Sequence, residues 1–325
     1  MAQPIPQPRG EISESVICAL RSDPGSPVPN SGFRVEHPIQ DEDLQLALYL
    51  CYELHYRGVE GADSAWEWDA GLIGFRRSLE RGFEESLRDI TRPDRWPEDV
   101  LEELRRVGST QDGPSLSEYV ESEATLEQFR EMCIHRSGWQ LKEADPHSWA
   151  IMRMEGAPKA ALVGLQHDEY GAGEPRDVHS KLFADSMEMI GLDSRYGAYL
   201  DRMPAITLAT VNLVSMFGLH RRLLPALVGH LTLFETTSVG PMSRYSRALA
   251  RLGFDAKARR FFDVHVAADT RHGEVALEQI AGGMLEAAPG AGREMLFGAW
   301  ALNDLEKRFT DHLLGSWEAG RSSLR

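Results

Sequence analysis

The chain has 325 residues, 42% of them hydrophobic and 26% charged, with a formal net charge of −15; this is an ordinary globular composition, long enough to bury a full core. The acidic balance, without a lysine or arginine block, excludes nucleic acid and anionic membrane surfaces as principal partners. Cys18, Cys51 and Cys133 form no Cys-x-x-Cys pair, and no stretch reads as a signal peptide or bilayer span; a disulfide framework is excluded and a cytoplasmic location is expected.

Residues 1–35, with Pro4, Pro6, Pro8, Pro24, Pro27 and Pro29, read as a loose, disordered leader. Residues 36–115 read as an N-terminal helical region: Leu44, Ala47, Leu48, Cys51 and Leu54 recur at helical spacing, and a second amphipathic segment covers Leu72 to Leu87. Its surplus of apolar residues (Leu46, Leu48, Leu50, Leu54, Trp66, Trp68) suggests a homodimer face. Pro93, Pro97, Gly108, Gly113 and Pro114 mark a boundary near 115.

Residues 116–325 read as a series of helices. Thr125-x-x-Gln128 has the form of a capping box, predicting a helix to about Glu143. Pro158 opens the next, which ends at Gly171 or Gly173. Others are predicted over Asp177–Ile190, a pair within Pro204–Ser238, Ala256–Ile280 and Arg293–Leu314. β-branched alternation is nearly absent, so the fold class is all-α.

The strongest chemical signal is His265-x-x-x-Asp269-x-x-His272. Residues three and four apart share a helix face, and Phe261, Phe262, Val275 and Ala276 make that face apolar. Two imidazoles and a carboxylate pointing into a core cost several kcal/mol unless paired or bound to metal, and the set suits iron, manganese or zinc. The second element joins Glu169, on the stripe of Ala161, Leu162 and Leu165, to His179, which opens the stripe of Leu182, Phe183 and Met187. On one continuous helix ten residues would separate them by about 15 Å. Gly171, Gly173 and Pro175 predict a break that brings both to one site. A two-metal site needs further carboxylate, and spacing alone leaves Glu143, Glu53 and Glu235 as rivals.

Glu143, the Glu169/His179 pair and His265-x3-Asp269-x2-His272, with the segments HRSGWQLKEADPHSWAIMRM, HDEYGAG and HSKLF, resemble the haem-oxygenase-like diiron oxidases and oxygenases. The similarity spans roughly residues 116–312. It implies a haem-oxygenase-like helical bundle with an N-terminal extension. It also implies two Fe ions (Fe(II)/Fe(III)) held by Glu143, Glu169, His179, His265, Asp269 and His272, O₂ as co-substrate, and an external reductant from an electron donor. Glu53, Glu235 and Tyr170 then become residues of the surrounding layer or the substrate pocket. The implied activity is oxidation of a small amine or amino-acid-like molecule, foremost N-oxygenation in natural-product biosynthesis, with desaturation or C–C cleavage as the alternative. Two readings compete from the residues alone: a helical protein that binds a ligand or metal without turnover, and a haem protein, which leaves the inward Asp269 and Glu169 unexplained.

Overall fold

The computed structural model describes residues 2–28, 32–109 and 113–325. Among these residues the regular elements are helices, and β structure is limited to one isolated bridge between Gln3 and Val59. In chain order they are α1 (Glu11–Leu20), α2 (Glu42–Glu53), α3 (Ala70–Ile90), α4 (Val100–Ser109), α5 (Leu116–Ser122) and α6 (Leu126–Gln140). There follow α7 (Asp145–Ser148), α8 (Gly156–Glu169), α9 (His179–Met189), α10 (Ala205–Leu219) and α11 (Leu224–Thr237). The last are α12 (Val239–Arg251), α13 (Ala256–Glu274), a π-helical segment (Val275–Gly282), α14 (Gly283–Ala287) and the 27-residue α15 (Gly292–Glu318).

α10 is buried on all sides, as its run Ala-Ile-Thr-Leu-Ala-Thr-Val-Asn-Leu-Val demands. α11 and α15 pack tightly against each other at two glycines. A Cβ on Gly229 would lie 1.8 Å from the Met295 carbonyl oxygen, and one on Gly298 would lie 1.9 Å from that of Ala226. This close approach sets α11 in the wall that faces α13. One continuous hydrophobic core runs from Ile12 in α1 to Trp317 in α15.

Several expectations need correction. The leader is not loose where it is described: α1 presents Ile12, Val16, Ile17 and Leu20 to the core. Its first turn is capped across the chain by Asp43, which accepts from the Ile12 and Ser13 amides at 2.8 and 2.7 Å. Pro29 and the two residues after it lie outside the described residues. The apolar residues read as a dimer face are occupied inside the chain. Leu46, Leu48, Leu50 and Trp66 are fully buried, and Trp68 alone among the six is largely exposed; α2 packs on α10, so the 36–115 region shares the core of the rest.

The Thr125 capping box is present, but α6 stops at Gln140 and Glu143 lies in the turn beyond it. Pro146, in the first turn of α7, cannot sit inside a continuing helix. α12 was not anticipated. Pro241 falls in its first turn, where the missing N–H costs nothing, and Met242, Ser246 and Leu249 form its buried stripe. The helix beginning at Ala256 widens to π geometry directly after Glu274, a distortion that often marks functional positions.

Candidate metal centre

Five segments converge on one buried space. The turn after α6 brings Glu143, the end of α8 brings Glu169, the start of α9 brings His179, α11 brings Glu235, and α13 brings His265, Asp269 and His272. Every one of these side chains is buried.

The chain between Glu169 and His179 turns back on itself. Gly171 has φ 75°, and a Cβ there would meet the Val178 nitrogen at 2.6 Å, so only glycine fits both conformation and space. Ala172 follows in the left-handed region at φ 53°. The result sets His179 Nδ1 2.7 Å from Glu169 Oε2, although ten residues separate them.

The donors form two groups, one of Glu143, Glu169, His179 and His265, the other of Glu169, Glu235, Asp269 and His272. Glu169 belongs to both, and its two oxygens face different ways. Oε2 meets His179, while Oε1 lies 3.3 Å from His272 Nδ1. His265 Nε2 lies 3.3 Å from Glu143 Oε1. His272 Nδ1 lies 3.5 Å from Asp269 Oδ1 and 3.6 Å from Glu235 Oε2.

His265 and Glu143 are within hydrogen-bond reach, but the other approaches are not ordinary hydrogen bonds. Nδ1 of His179, Nδ1 of His272 and Oδ1 of Asp269 are buried without a hydrogen-bond partner, which is costly for polar atoms with nothing between them. Donor atoms held about 2.1 Å from a shared ion stand about 3.0–3.4 Å from one another, so the spacing suits cations at the two foci. The outer ring nitrogens are also accounted for. His265 Nδ1 lies 2.8 Å from the Phe261 carbonyl, and His272 Nε2 lies 3.2 Å from Asp168 Oδ2. Each interaction fixes the ring and leaves the other nitrogen facing the centre.

The protonation pattern points the same way. Burial pushes the Glu235 carboxyl up to about 8, aided by the charges of Glu169 and Asp269. Burial alone would lower the His265 imidazole, but the Glu143 carboxylate outweighs it and carries it to about 10. The carboxylates of Asp269, Glu169 and Glu235 likewise overcome burial at His272 and carry it to about 12. Burial opposes ionisation of Glu169, yet His179 and His272 hold it well below the usual carboxylate range. A space that draws protons onto imidazoles this strongly is one that favours cations.

The three remaining residues singled out from sequence divide. Glu235 does not stand in the surrounding layer: α11 carries it into the second donor group. Glu53 stays outside both groups and pairs with the buried Lys142, while also accepting from the Tyr196 hydroxyl at 2.5 Å. It therefore fixes the turn that presents Glu143, one residue on. Tyr170 points away, its partly exposed hydroxyl donating to Asp145 Oδ1 at 2.9 Å. Sequence reasoning also missed Asp168 behind His272, and Gln140, whose amide, turned nitrogen inward, donates to Glu143 Oε2 at 3.1 Å. Neither has a signal beyond adjacency to a site residue. No helix of the described residues is long and apolar enough to cross a membrane.

The all-helical architecture is that of the haem-oxygenase-like fold, and its interior holds buried carboxylates and imidazoles. The chain belongs to the iron-containing redox enzyme family, whose sequence profile matches residues 130–307, just over half of its length. It is similar to a nitrosourea synthase of Streptomyces achromogenes subsp. streptozoticus, at 28% identity over 147 residues. That match covers 45% of this chain and 31% of the relative, so the chain spans about a third of that protein's length.

Proposed function

We propose that the protein is a non-haem diiron oxygenase in which Glu143, Glu169, His179 and His265 hold one iron, and Glu169, Glu235, Asp269 and His272 hold the other. The observation that carries this reading is the position of Glu169, with one carboxylate oxygen turned to each donor group. Four carboxylates balance the charge of two divalent ions, and three imidazoles add neutral donors. Two ferrous ions in this setting would supply the O₂-binding site and the electrons that oxygen activation requires. Around them the protein holds the rings of His265 and His272 through Phe261 and Asp168, excludes water with the walls of Trp139, Leu165, Leu231 and Phe234, and keeps Glu169 ionised.

The substrate proposed is a small amine or amino acid, and the reaction N-oxygenation in natural-product biosynthesis. The relative's name supports this, since a nitrosourea contains a nitrogen–oxygen bond. Inserting one oxygen atom of O₂ takes two electrons from the substrate and two from an external reductant, so an electron donor is a required partner. The test is O₂ uptake by anaerobically Fe(II)-loaded protein with a reductant and candidate amines, using ¹⁸O₂ to follow the label into nitrogen. Preference for zinc, with no O₂ reactivity under any of these conditions, would overturn the assignment.

A further inference from the structure

A second cavity lies on the α15 side of the bundle, with a volume of about 430 Å³. Its floor is the Arg136–Glu306 pair, bidentate at 2.7 and 2.6 Å, so neither group offers a free charge. Its rim differs. Lys307 and Asp311 both line the cavity, both are exposed, and neither takes part in an ion pair among the described residues. They stand four apart on α15, about 6 Å along its axis and on one face. Two free, opposite charges at this spacing match the carboxylate and ammonium of one α-amino acid.

This cavity leads toward the candidate metal centre. Gln140 and Phe234 line both it and a narrow middle cavity, and Trp139 and Phe234 line both the middle cavity and the innermost one beside Glu143, Glu169 and Glu235. Phe234 is the wall common to all three, stacked on Trp139 with ring centroids 5.2 Å apart. At the inner end, the Trp139 indole N–H and the Gln166 amide oxygen are buried with no partner, one donor and one acceptor facing a space large enough for a single water. Gln140 connects the outer cavity to the centre directly, since its amide reaches Glu143.

We propose that the outer cavity is the substrate-binding site, taking a zwitterionic amino acid with its carboxylate on Lys307 and its ammonium on Asp311. The side chain then points inward, and Phe234 is the specificity-determining residue that it must displace to reach the inner cavity. The class of substrate follows from the rim charges, and the oxidation of its inner end rests on the diiron reading above.

The experiment measures binding of the twenty common amino acids, each beside its decarboxylated amine and its N-acetyl derivative, to iron-free and to anaerobic Fe(II)-loaded protein by calorimetry. The result expected is millimolar or tighter binding of at least one amino acid, with no detectable binding of its amine or N-acetyl derivative. Lys307→Met and Asp311→Asn should each weaken that binding tenfold or more while leaving Tm and iron content unchanged. Phe234→Trp should keep head-group binding in iron-free protein but abolish substrate-dependent O₂ uptake, and Phe234→Leu should restore uptake and admit bulkier side chains. Binding that both rim variants leave unchanged, or no binding by any amino acid of the panel, overturns the site. Loss of the diiron reading alone would leave rim-dependent binding to the iron-free protein intact, so the two failures are distinguishable.

Discussion

Loading the centre with iron should expel protons, and their number follows from the structure. In the metal-free protein His265 and His272 are pushed up to about 10 and about 12, and Glu235 up to about 8. All three therefore carry a proton at neutral pH, whereas a ligand must be a neutral imidazole or a carboxylate. Saturation with Fe(II) near pH 7 should release about three protons per chain, and the overall constant for binding both ions should rise by about a thousandfold per pH unit. The same groups set the stability of the metal-free fold. Each binds its proton more tightly folded than unfolded, so its contribution is complete below the ordinary value and is lost as pH rises through the raised one. For the two histidines that window runs upward from 6.5, and for Glu235 it runs from 4.5 to about 8. Within its window each proton lowers stability by about 1.4 kcal/mol per pH unit. A pH-stat titration under anaerobic conditions counts the protons, and urea unfolding at several pH values with and without Fe(II) reads the slope. Release of fewer than one proton per chain, or equal slopes with and without iron, would refute the reasoning.

Asp168→Asn should weaken iron binding about 10- to 100-fold, because Asp168 orients the ring of His272; a competitive chelator titration measures it, and wild-type affinity would remove Asp168 from that role. Gly298→Ala should destabilise the protein by about 3 kcal/mol or more, since the new methyl meets the backbone of α11 rather than a movable side chain; the change in urea midpoint reports it. Amide exchange across residues 258–282, the helix of His265, Asp269 and His272 together with its π continuation, should slow when Fe(II) is added. Three polar groups on its inward face oppose docking until a cation compensates them, so equal protection in both states would contradict this.

The sequence was informative where chemistry depended on local period. His265, Asp269 and His272 fall on one face by helical spacing alone, and two glycines and a proline announced the reversal that joins Glu169 to His179. It was silent where the answer depended on packing between distant segments. Glu53, Glu143 and Glu235 are equally plausible as inward carboxylates on their own stripes. They separate only because Lys142 draws Glu53 aside and because Gly229 and Gly298 bring α11 close to α15. Local composition also misled. Prolines around α1 concealed a short apolar stripe, and the leucines of α2 read as a dimer face though α10 covers them.

The most direct test of the diiron reading is anaerobic titration of metal-free protein with Fe(II), followed by elemental analysis of the washed complex, for the wild type and Glu235→Ala. Two irons per chain are predicted for the wild type, and one for the variant, which keeps the group of Glu143, Glu169, His179 and His265 intact. A wild-type stoichiometry of one would contradict the account.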